Sequence, residues 1–149
     1  MRYVSAFFCC IAAAALLTGC TRSPGIAPFD SDGCSLFPDG TWDDRTLWCD
    51  CCFEHDIAYW RGGTEGERKR VDEALRDCVV EKTGNPQLAE LMYHGVRLGG
   101  GSIFPSWYRW SYGWSYGRGN RPLTPNEERL VDGALAAYRA EARPYQCGD

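Results

Sequence analysis

Histidine is nearly missing from this chain: His55 and His94 are the only two in 149 residues. Any chemistry that needs an imidazole must therefore use one of them. Positive charge is also short, with 16 Lys and Arg against 20 Asp and Glu. That balance excludes the basic footprint of a nucleic-acid binder. No apolar run reaches the roughly 20 residues that span a bilayer; the longest, residues 4–17, falls short. No internal repeat and no convincing pair of strands is visible, which argues against repeat arrays and sheet architectures.

What is present begins with a leader. Arg2 precedes the apolar run, which ends in Leu17-Thr18-Gly19-Cys20. This resembles the bacterial lipobox, in which cleavage before a cysteine leaves that residue carrying lipid. The resemblance implies residues 1–19 as signal peptide and Cys20 as the lipidation site. Thr21 stands where an aspartate would, by likeness to enteric lipoproteins, favour the inner membrane. The expected location is thus the bacterial envelope, at the outer membrane facing the periplasm. Removing the leader leaves 130 residues, one domain's worth, with a formal charge of −5. Of nine cysteines, Cys9 and Cys10 leave with the leader and Cys20 takes the lipid. Cys34, Cys49, Cys51, Cys52, Cys78 and Cys147 remain, an even set that reads as disulfides in an exported chain. Spacing alone does not choose their pairing.

Residues 20–31 contain Pro24, Gly25 and Pro28 and read as a tether, leaving 32–149 as the domain. Asp32-Gly33-Cys34-Ser35-Leu36-Phe37-Pro38-Asp39-Gly40 reads as a loop. Irregular glycine-bearing backbone can turn carbonyl oxygens inward, which suits a hard cation. A first helix is expected from Asp43 or Asp44 through Trp60, stopped by Gly62-Gly63, with Trp48, Cys51, Cys52, His55 and Tyr59 on one buried stripe. Asp56 lies about 100° round from His55 and faces another neighbour. A second helix is expected from Glu65 or Glu67 to Lys82, with Val71, Leu75, Cys78 and Val79 as its apolar stripe and Asp72 at the border. The short loop between them predicts antiparallel packing. A third helix starts at Asn85-Pro86 and ends near Leu98; its His94 reads as a structural or surface histidine. Residues 97–121 hold four arginines, no acids and seven aromatic rings, from Phe104 to Tyr116. They read as a loop with room for a short hairpin, its rings divided between a lid on the core and a membrane interface. Thr124-Pro125-Asn126-Glu127 is a capping box, and Leu130, Ala134, Leu135 and Tyr138 are the expected inner face of a last helix.

The chain is organised around Cys51-Cys52-Phe53-Glu54-His55-Asp56-Ile57-Ala58-Tyr59. With Asp72 and Cys78 six residues apart, and Gly33-Cys34 upstream, this stretch resembles the phospholipase A2 superfamily. Ala58 stands where secreted animal members have a cysteine, and Val71 stands where its disulfide partner would be. Both halves of that bridge are absent together. Asp32-Gly33-Cys34-Ser35 looks like the loop of bacterial and fungal members. The resemblance covers about residues 32–82.

The fold it implies is mainly α: two antiparallel, disulfide-linked helices with a calcium-type loop, plus additional helices. It implies Cys34–Cys52, Cys51–Cys78 and Cys49–Cys147 as the bridges. His55 would take a proton from water as that water attacks an ester, a task suited to imidazole near neutral pH. Asp72 would hold the other ring nitrogen, with Tyr59 supporting that carboxylate. Calcium would be bound by Asp56 and the carbonyls of Gly33, Ser35 and Phe37, with Asp32 or Asp39 able to add a side-chain oxygen. The expected substrate is the sn-2 ester of a glycerophospholipid at a membrane surface. Three other readings stay open. His55-Asp56 could be a structural pair in a disulfide core. Zinc on Cys49, Cys51, Cys52 and His55 is a weaker rival, since zinc ligands usually come in spaced pairs and exported thiols oxidise. The chain could also be a non-catalytic envelope-binding or structural lipoprotein of the same shape.

Overall fold

The computed structural model describes residues 25–141. The leader, Cys20 and Cys147 lie outside them. The described chain is mainly helical: α1 is Cys49–Arg61, α2 Glu65–Thr83, α3 Pro86–Gly99 and α4 Pro125–Ala140. Among the described residues there is no strand, and no helix is long and apolar enough to cross a membrane.

Three helix starts follow from their capping residues. Thr64 accepts from the Glu67 amide while the Glu67 side chain accepts from the Thr64 amide, and Thr124 and Glu127 repeat this at α4. Each box satisfies backbone donors that a helix start leaves unpaired. Asn85 accepts from Leu88 N at 3.0 Å, with Pro86 in the first turn of α3. The start of α1 differs from expectation. Asp43 and Asp44 do not open a helix. Asp44 instead accepts from the amide and hydroxyl of Thr46, and its carbonyl accepts from Thr41 N. An aspartate that satisfies local backbone in a turn competes with the helix it could have capped. The helix begins five residues later, after Trp48, whose indole donates to Pro38 O at 2.7 Å and whose amide donates to Asp39 O.

α1 and α2 run antiparallel. Cys51 near the start of α1 is bridged to Cys78 late in α2. His55 meets Asp72 midway, and Tyr59 meets Arg68 near the other end. Cys34–Cys52 ties the preceding loop to the same helix. Cys49 is also disulfide-bonded. α3 packs on α2, and together these helices enclose a core of Trp48, Leu75, Val79, Ala89 and Met92. Asp72 does not border the α2 stripe. It is wholly buried at its centre, whereas Val71 is only partly buried.

A second core holds Phe29, Trp60, Trp114 and Val131. Phe29 is 5 % exposed and Ala27 N donates to Gly113 O, so the packed body reaches back before residue 32, into the segment read as tether. On α4 the inner position is Val131, while Leu130 is exposed. Ala134, Leu135 and Tyr138 pack on this core as expected, and only Leu130 gives way, to its neighbour Val131. The irregular segment after α3 forms no hairpin. It closes the C-terminal end of α1: Ser111 N, Gly113 N and the Trp114 indole donate to the carbonyls of Tyr59, Trp60 and Arg61. These are carbonyls a helix end leaves without partners. Arg109 braces the segment by donating to the carbonyls of Trp110, Ser111 and Trp114. Of its rings, Trp110 and Trp114 are buried, while Trp107, Phe104 and Tyr116 are exposed.

Candidate functional site

α1 carries His55, Asp56 and Tyr59 to one wall of a cavity of about 330 Å³. The opposite sides come from Gly33 to Phe37 of the acidic loop, from Leu75 of α2, and from Leu91, Met92, Gly95 and Val96 of α3. The lining is chiefly apolar, and the volume lies at the lower end of ligand pockets. Tyr108 is the only ring of residues 104–116 that lines it, so that segment leaves the cavity open.

At the base of the cavity, His55 Nε2 lies 3.0 Å from Asp72 Oδ1. A carboxylate is acceptor only, so Nε2 carries the proton and Nδ1 is left as the acceptor. Tyr59 Oη donates to the same oxygen at 2.7 Å. Burial and the neighbouring Asp72 push the Tyr59 phenol well above its ordinary range, which keeps it a donor. The other carboxylate oxygen faces cations. Arg97 Nη1 donates to Asp72 Oδ2 at 2.7 Å, and Arg68 Nη1 lies 3.8 Å away. Burial alone would raise Asp72, but hydrogen bonds from His55, Arg97 and Tyr59 hold it below the usual carboxylate range. Glu65 gathers the two arginines from behind, accepting from Arg68, Arg97 and Asn120.

The second carboxylate, Asp56, is 7 % exposed. No cation pairs with it among the described residues; its partner is the Ser31 hydroxyl, at 2.6 Å. Burial pushes its carboxyl up to about 7 against that hydrogen bond, and the charges of Asp32, Asp39 and Asp30 add to the rise. Gly33, Ser35 and Phe37 line the same cavity as Asp56. Gly33 and Ser35 both have positive φ, at 75° and 54°. The candidate side-chain ligands Asp32 and Asp39 are already engaged. Asp39 Oδ1 accepts from Cys34 N at 2.8 Å, and Asp32 accepts from Ser35 Oγ and the Trp107 indole.

Asp56 and the carbonyls of Gly33, Ser35 and Phe37 would offer oxygen only, and among the described residues the buried carboxylate has no counter-charge, which suits a hard divalent cation. Cys34, Asp39 and Cys52 also converge closely enough for a soft metal. Their sulfurs are joined to each other as a disulfide, however, so they offer no thiolates. Cys51 and Cys52 are likewise committed to bridges, which removes the zinc alternative at His55. His94 lies away from the cavity, exposed beside Glu90.

Sequence reasoning missed Ser31, Arg68, Arg97 and Glu65. Arg68 did leave a trace, standing four residues before Asp72 on α2, the spacing of a helical ion pair. Arg97 and Ser31 reach their partners across 25 residues of chain and leave none. Comparison with known proteins finds no matching family model, no matching curated protein and no matching solved structure.

Proposed function

We propose that this chain is a calcium-dependent acyl-ester hydrolase of the phospholipase A2 type, lipid-anchored in the bacterial envelope and acting on the sn-2 ester of glycerophospholipids. One observation carries the reading. His55 is held by Asp72 at Nε2 and opens on an apolar cavity that it shares with the uncompensated carboxylate of Asp56. A purely structural His-Asp pair has no need of a cavity, nor of a second buried acid beside it. The bridges Cys34–Cys52 and Cys51–Cys78 match those the resemblance implies. Ala58 and Val71 line one shallow hollow between α1 and α2, which is where a mutual bridge would lie.

Within this reading His55 Nδ1 accepts a proton from water as that water adds to the ester carbonyl. Asp72 fixes the tautomer and stabilises the imidazolium that forms, while Tyr59 and Arg97 hold Asp72. The proton then passes from His55 to the departing alkoxide. Asp56, with the loop carbonyls of Gly33, Ser35 and Phe37, would hold calcium. A bound calcium would supply polarisation of the carbonyl and stabilisation of the oxyanion. Leu36, Phe37, Leu91, Met92 and Val96 offer apolar surface to an acyl chain. The Cys20 lipid and the exposed rings of Phe104, Trp107 and Tyr116 would keep the domain at a phospholipid surface.

The test is fatty-acid release from phospholipid vesicles with calcium or with chelator. His55→Ala is expected to lower release by about 10²–10⁴-fold. Release that survives both chelation and His55→Ala would falsify the mechanism. A chain with no release and no calcium-dependent rise in melting temperature would be the non-catalytic envelope lipoprotein.

A further inference from the structure

Gly95 sits inside α3, where glycine destabilises a helix relative to alanine. Packing explains some glycines of this chain. A Cβ at Gly100 would lie 2.6 Å from the Tyr59 ring, so Tyr59 reaches Asp72 only because residue 100 has no side chain. Gly95 has no such reason. A Cβ there would meet nothing within 4 Å, and its φ is not positive. It does line the cavity, together with Leu91, Met92 and Gly99. These stand four and three residues before it and four after it, on one helix face, so a side chain at 95 would project from the wall they form. Gly133 of α4 is equally open but does not line this cavity, which makes it a matched control.

We infer that Gly95 sets the length of apolar chain the cavity accepts, by leaving the α3 wall bare where the chain runs past it. The inference rests on the acyl-ester reading for the nature of the ligand. It needs no turnover to be examined. With the smallest side chain at 95, a linear chain can lie along α3 between Leu91 and Val96 on one side and Leu36 and Phe37 on the other. A branched side chain at 95 narrows that path without touching His55, Asp56 or Asp72.

The experiment is titration calorimetry of the full chain, in calcium, with alkylphosphocholines of increasing length below their micelle thresholds. Wild type should gain affinity with each added methylene until the cavity is filled. Gly95→Leu should stop gaining at a shorter chain. It should bind the longest probe about tenfold more weakly and match wild type within about twofold on the shortest. Gly133→Leu should follow wild type throughout. Gly95→Ala should raise the melting temperature by about 4 °C while shifting the length profile in the same direction as leucine, and it serves if the leucine variant fails to fold. A length profile unchanged in both Gly95 variants, or a loss equal at every length, overturns the inference, as does a wild-type chain that binds no alkyl probe. A chain with the expected profile that releases no fatty acid sinks the hydrolase reading and leaves Gly95 as the length-setting residue of a binding cavity.

Discussion

Two buried carboxylates serve one cavity in opposite surroundings. Asp72 is fully enclosed by helices and accepts from a histidine, a tyrosine and an arginine, with a second arginine close by. Asp56 is nearly as buried, yet it faces a loop that brings further acids and a single hydroxyl donor. The first is electrostatically complete without any ligand. Burial and repulsion from the nearby acids disfavour the charge of the second, which a bound cation would offset. The difference separates a carboxylate whose partners the fold supplies from one that, under the proposed function, an ion would complete.

Removing the complete carboxylate should have the largest effect on stability. Asp72→Ala leaves Arg68, Tyr59 and His55 facing a void and is expected to cost about 3–5 kcal/mol, read by chemical denaturation. A loss under about 1 kcal/mol would mean that the network is not a unit.

The two carboxylates should also answer pH with opposite sign. The Asp56 carboxyl is raised, so its contribution to stability is fully present below the unfolded value near 3.8 and is lost as pH rises through about 7. For the calcium-free chain this is a loss of up to about 4 kcal/mol between those limits. Asp56→Asn should flatten that window. Asp72 is lowered, so its contribution is present above pH 3.8 and disappears only as pH falls below it. Calcium-free stability that rises steadily from pH 4 to 7 would contradict the account of Asp56.

Releasing the loop comes next. Replacing Cys34 and Cys52 by serine frees a segment of 18 residues and should cost about 3 kcal/mol. It should weaken calcium binding while leaving the His55–Asp72 contact intact. If calcium affinity is unchanged, the loop does not need its bridge to present oxygens. Trp107→Ala should be the mildest change. It removes an exposed indole and one hydrogen bond to Asp32, for about 0.5 kcal/mol, and the calcium midpoint reads whether that bond competes with the ion.

The same contrast marks what could be read from the chain itself. The helix-borne half was legible. Thr124-Pro125 and Asn85-Pro86 punctuate their helices locally, and Cys51, His55 and Tyr59 recur at helical spacing. Where local chemistry admits two uses, reading failed. Asp44 serves a turn instead of a helix start, and Leu130 and Val131 were one residue from exchanging places. Arg97 was invisible because its partner belongs to another helix. Trp110 and Trp114 differ from Trp107 only in meeting the end of α1, which no periodicity in an irregular segment reveals. The loop-borne half of the site was the least legible, since Ser31, Asp32 and Asp39 find their partners through turns and not through a repeating face.

Under the proposed function, the His55–Asp72 pair and the Asp56 loop would form one hydrolytic site once calcium is present. The direct measurement is fatty-acid release from phospholipid vesicles by the wild-type chain as calcium is titrated. Release should rise with calcium to saturation, collapse with chelator, and be absent in His55→Ala. Release indifferent to calcium, or equal in His55→Ala, would contradict the proposed function.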